Sequence, residues 1–99
     1  MIRGTTPTHI FTLPLETYLI DELKISYAQS HKEILSKSKN DCILEGNTIK
    51  VKLTQEETFL FDCEKNAQVQ LRVKTIDGDV FGSAVSTFKI ECSLSEEVL

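Results

Sequence analysis

Asp77-Gly78-Asp79 places two acidic residues at the spacing that begins a calcium-binding loop. An EF-hand loop needs oxygen ligands at alternating positions and ends in a bidentate glutamate. Counted from Asp77, the fifth residue is Phe81 and the twelfth is Phe88, and neither offers oxygen to a hard cation. Asp-Gly between two alternating apolar segments is instead a hairpin signal, because both residues tolerate positive φ. The stretch is expected to turn the chain and to hold no metal.

The other reactive side chains form no recognisable constellation. His9 falls in a candidate edge strand and His31 in a candidate turn, and both read as lone surface histidines. Cys42, Cys63 and Cys92 lack a Cys-x-x-Cys pair, and their odd count makes a poor disulfide framework and a poor zinc site. They read as three reduced thiols packing as small hydrophobes, with one bridged pair left open for an exported protein. A cysteine nucleophile needs a positioned base and oxyanion donors, which the sequence does not supply. The carboxylates of Glu56-Glu57 and of Glu96-Glu97 are adjacent, so on a strand they diverge. The four glycines are isolated, with no phosphate-binding loop, and the aromatics include no tryptophan for a sugar platform. Tyr18, Tyr27 and the phenylalanines mostly take inward positions, where they read as core. No catalytic, cofactor-binding or metal residue is assigned, and the chain is expected not to be an enzyme.

These residues must be carried by a single domain spanning 1–99, with a core over about 7–92 between a polar N-terminal arm and an acidic tail. A net charge of −4 argues against nucleic acid as a partner. The charge is uneven. Lys32, Lys37, Lys39, Lys50 and Lys52 dominate one stretch, and Glu56, Glu57, Asp62 and Glu64 the next. Such runs read as solvated faces, or as opposite patches that pair between copies. Met1–Thr6 has no signal-peptide pattern and no segment is apolar enough to span a bilayer. The chain is expected to be cytoplasmic when made, with no membrane partner.

Apolar residues recur with a period of two almost throughout. Thr8–Pro14 alternates between Pro7 and Pro14, which suits an edge strand. Leu19–Gln29 turns Leu23, Ile25 and Tyr27 to one face, and Lys32–Ser38 pairs with it across Ser30-His31. Cys42–Leu44 and Thr48–Thr54 flank the turn Glu45-Gly46-Asn47, with Ile49, Val51 and Leu53 inward. Thr54-Gln55-Glu56-Glu57 matches a capping box. It predicts one turn of helix crossing between sheets, with Phe59 or Leu60 plugging the core. Asn66–Ile76 predicts a central strand with Ala67, Val69, Leu71 and Val73 inward. Val85–Cys92 continues the pattern, and Gly82 suggests a bulge or a close backbone approach. About seven short strands with regular turns predict an antiparallel sandwich.

The segments IRGTTPTHIFTLP, ELKISYAQ, KEIL, NTIKVKLTQEETFLF and AQVQLRVKTIDGDVFGSAVSTFKIE, in that order, resemble small immunoglobulin-like proteins. Those proteins are encoded among phage and prophage structural genes of Gram-positive bacteria. The chain is also similar to the N-terminal module of phage baseplate upper proteins, with Ile49-Lys50-Val51-Lys52-Leu53-Thr54-Gln55-Glu56 in place of its I-x-V-x-L-T-x-E stretch. The likeness covers roughly residues 2–92. That module runs on into a long C-terminal extension, whereas this sequence ends at Leu99. The resemblance implies an immunoglobulin-like sandwich and a non-enzymatic virion or assembly role through protein contacts, with itself or with phage structural proteins, homo-oligomers included. The Thr8–Leu13 strand, preceded by the polar arm Met1–Thr6, is expected either to extend a neighbour's sheet by strand addition or to be the ordinary edge strand of a monomer. The alternative expectation is a cytoplasmic small-ligand or regulatory binding domain.

Overall fold

Alternate side chains on an extended chain point to opposite faces, so a period-two sequence buries one face only by stacking one sheet on another. The computed structural model, which describes residues 1–99, has this architecture. In chain order the elements are β1 (Thr8–Thr12), β2 (Ile20–Gln29), β3 (Lys32–Ser38), β4 (Cys42–Glu45), β5 (Thr48–Lys52), the four-residue helix α1 (Gln55–Thr58), β6 (Asn66–Thr75), β7 (Val80–Gly82) and β8 (Ser86–Lys89). One antiparallel sheet has the order β1-β5-β4. The other has the order β3-β2-β6, with β7 and β8 end to end along the far edge of β6. The three- and five-stranded antiparallel sheets stack as an immunoglobulin-like sandwich. Ile2 bridges in parallel to Glu91, beyond β8. No strand pairs with the outer edge of β1.

The core follows the expected register. Leu23, Ile25 and Tyr27 of β2, Ile49 and Val51 of β5 with Leu53 just after it, and Ala67, Val69, Leu71 and Val73 of β6 are all buried. Ile25 pairs with Leu71 and Tyr27 with Val69, so the two longest strands share one inner face. Each large aliphatic buried there contributes roughly 1.5–3 kcal/mol against its exposed state. Ser30 and His31, at φ 52° and 64°, form the tight turn between β2 and β3. Gly46-Asn47 closes β4 on β5, and Glu45 pairs with Thr48 instead of joining the turn. Asp77-Gly78 turns β6 into β7, with Gly78 at φ 91° and its N–H donating to Thr75 O at 2.9 Å.

Several expectations are corrected. The count is eight strands because the last edge strand is interrupted. β7 pairs with Arg72–Lys74 and β8 with Asn66–Val69. Between them Ser83 takes over the ladder: its N–H donates to Leu71 O, and its Oγ accepts from Leu71 N. The irregularity therefore lies just after Gly82. Gly82 itself is not closely approached, since a Cβ there meets nothing nearer than Arg72 Cγ at 4.0 Å. The plug after α1 is Phe61, fully buried, whereas Leu60 is 55% exposed. Gln29 explains the choice. Its buried amide accepts from Asp62 N at 2.7 Å and donates to Asp62 O at 2.8 Å, which aims the preceding residue inward. Tyr18 is 78% exposed and Phe81 is also exposed, so neither is core.

The cysteines are not all reduced. Cys63, before β6, and Cys92, after β8, form a disulfide with their Cα atoms 5.0 Å apart. The pairing of Asn66 with Lys89 brings these two strand ends together, which spacing along the chain does not reveal. Closing a 29-residue separation removes unfolded-state entropy worth roughly 3–4 kcal/mol in the chain-entropy model. Cys42 remains a thiol.

Candidate functional site

His9 is placed on the inner face of β1, half-buried, and so is not a lone surface histidine. Its Nδ1 lies 2.6 Å from the hydroxyl of the fully buried Tyr27, and its ring meets Phe88 edge-on at 5.8 Å. Burial, then the nearby N-terminal ammonium, lowers the pKa of His9. Burial first, then Cys42 and Glu57, pushes the Tyr27 hydroxyl well above its ordinary value. Both groups are therefore neutral at pH 7. Between two neutral groups either can donate, and the tautomer of His9 sets which one does. His31 is exposed in its turn.

The remaining candidates serve structure. Cys42 donates weakly to Ser38 O at 3.3 Å, and burial raises its pKa, which suppresses the thiolate. Glu57 closes the capping box: its Oε1 accepts from Thr54 N at 2.8 Å, and its N–H donates to Thr54 Oγ1 at 3.1 Å. It also pairs with Lys37 at 2.5 Å. One member of the basic stretch and one of the acidic stretch thus meet within a single chain. Glu96 pairs with Arg3. No three of the His, Cys, Asp and Glu side chains converge as a metal site requires.

Arg3 was not singled out by its sequence context. Its Nε donates to Phe61 O at 2.7 Å and its Nη2 to Phe59 O at 3.1 Å, and its guanidinium lies 5.2 Å from the Phe59 ring centre. Gly4, at φ 84°, sits under the same ring, where a Cβ would fall 2.7 Å from Phe59 Cζ. The polar arm is therefore clamped to the connection after α1. A lone arginine in a polar stretch carries no signal of this.

The feature left over is the outer edge of β1. In an antiparallel pair each residue sends its N–H and C=O to the same side. Leu13 N donates to Asn47 O and Leu53 N donates to Pro7 O, so residues 7, 9, 11 and 13 face β5. Thr8, Ile10 and Thr12 face the other way, and no other strand pairs with that side. The other sheet edges are blunted in familiar ways. β3 carries Lys32, Glu33 and Lys37, β7–β8 is interrupted, and β4 has four residues. β1 carries no charge and is limited only by Pro7 and Pro14.

No family model, curated protein or solved structure matches the chain.

Two cavities run along this edge. One, of about 490 Å³, is lined by His9 and Phe11 of β1 with Val69, Phe88 and Met1 opposite. The other, of about 480 Å³, is lined by Leu13 and Leu15 with Leu71, Val73 and Phe81 opposite. Both are largely apolar. Together they form a groove between the free edge of β1 and the strands β7 and β8. The edge strand and its bounding prolines are legible in the sequence. The groove is not, because its second wall comes from strands about seventy to eighty residues further along.

Proposed function

We propose that this chain is a non-enzymatic structural or protein-interaction module that works through its sheet edges, of the kind found among phage structural proteins. The observation that carries the reading is the uncharged, unpaired edge of β1. Soluble β proteins blunt such edges when they have no use for them, and this chain blunts its others. The phage attribution rests on the sequence resemblance alone. The Cys63–Cys92 bridge fits a protein that finishes its life outside a reducing cytosol, as a virion component does. No helix is long and apolar enough to cross a membrane.

A small-ligand domain is the less supported reading. The two cavities have suitable volumes, but a ligand site needs several polar groups converging on one point. Ser83, the hydroxyl beside the second cavity, is already committed to Leu71.

The test is light scattering on the purified protein at several concentrations, followed by co-expression with each neighbouring structural-gene product in turn. A discrete oligomer or a stoichiometric complex supports the module. A monomer at every concentration that binds none of those products removes it.

A further inference from the structure

The groove beside β1 has a shape that selects its occupant. His9 touches Tyr27 of β2 and Phe88 of β8, the strands on either side of β6. β1 therefore lies over β6, and β8 reaches one strand further out than β1 does. The position next to the free edge of β1 is thus floored by β7 and β8, with Met1, bonded to Lys89 O, lining it at the Pro7 end. One strand fits there, at about 4.8 Å from β1. A second whole sandwich does not. In a two-fold β1–β1 pairing each copy's β8 would enter the layer already filled by the other copy's β6.

We infer that this groove binds one extended strand of another polypeptide by β-augmentation, with apolar side chains alternating inward and acidic ones outward. The inference rests on the protein-interaction reading and names the surface and the ligand chemistry. Thr8, Ile10 and Thr12 supply backbone donors and acceptors in strand register. The cavities beside Phe11 and beside Leu13 are offset along β1 and take inward side chains from successive inward positions. Charge selects the outer face. Lys50 and Lys52 of β5 stand across from Ile10 and Thr8 on the solvent side. Lys52 has no carboxylate partner, and Lys50 has only a long, exposed ion pair with Glu45, at 3.8 Å. Both sit about 10 Å from the added strand, within lysine reach of acidic side chains.

The experiment uses the full chain and a fluorescein-labelled peptide of about ten residues alternating valine and glutamate, read by fluorescence polarisation. Saturable binding is expected. Glutamates facing outward, as Thr8, Ile10 and Thr12 do, send their N–H groups toward β1. Methylation of the glutamate amides should therefore abolish binding, and methylation of the valine amides should not. Ile10→Pro deletes a donor that faces the groove and leaves the β5 ladder intact, so it should weaken binding about tenfold or more with the fold retained. Replacing glutamate by lysine in the peptide should weaken it too. Absence of saturable binding overturns the inference, as does binding indifferent to which amides are methylated; both peptide controls leave the protein's fold untouched. Self-association without peptide that Ile10→Pro abolishes also overturns it, by making an arm of a second copy the occupant. A protein that ignores the peptide but still binds a structural-gene product keeps the broader reading and loses this one.

Discussion

His9 Nδ1 and the Tyr27 hydroxyl share a hydrogen bond at 2.6 Å, joining the edge strand β1 to the centre of the opposite sheet. Burial holds the folded-state pKa of His9 below 6.5, with the N-terminal ammonium adding to the effect. The unfolded chain therefore binds the proton first as pH falls. Stability from this site is complete above pH 6.5 and declines below it. Thermal melts between pH 7.5 and 5 should show this decline. His9→Gln should remove much of it. Tyr27→Phe should lose about 1 kcal/mol of stability yet keep the decline, because burial is its main cause. A decline that vanishes in Tyr27→Phe would assign it to the hydrogen bond.

Leu71 is 3% exposed at the middle of β6. Leu71→Asp buries an unpaired carboxylate, which costs several kcal/mol against a total stability of about 5–15 kcal/mol. No cooperative melt should remain. Lys52→Ser, on the solvent face of β5, should stay within about 0.5 kcal/mol of the parent. An unchanged melting temperature for Leu71→Asp would mean the register of β6 is wrong.

The thiols give a direct chemical count. Cys63 and Cys92 are bonded and Cys42 is free, so thiol titration of the denatured, unreduced protein should find one thiol, and three after reduction. The Cys63→Ser, Cys92→Ser double variant should lose roughly 3 kcal/mol. Three thiols without reduction would refute the bridge.

Arg3 satisfies two carbonyls of the connection after α1 with a planar fork. Lysine cannot reproduce that geometry. Arg3→Lys should cost about 1–2 kcal/mol and speed hydrogen exchange around Phe59 to Phe61. Gly4→Ala should act in the same direction, since its Cβ meets the Phe59 ring and its φ is positive. Wild-type exchange in both would show the clamp to be incidental.

Local patterns were enough to find most strands. Val69, Leu71 and Val73 alternate with Gln70, Arg72 and Lys74, and only a half-buried strand explains that. Thr54 and Glu57 announce their helix turn because a capping box is a contact between residues three apart. Asp77-Gly78 announces its hairpin for the same reason. Phe61 as the plug depends on Gln29, a residue more than thirty positions earlier, and no local pattern distinguishes it from Phe59 or Leu60.

What the residues determined by themselves is therefore what neighbours along the chain enforce: the strands, their inward faces, the turns, and the edge character of a short strand between Pro7 and Pro14. Tertiary structure alone decided the Cys63–Cys92 bond, the pairing of His9 with Tyr27, the Arg3 clamp, and the groove between β1 and β7–β8. Each joins residues that lie far apart in the sequence. Periodicity reports which way a side chain points, and only the stacking of the two sheets determines what it meets there.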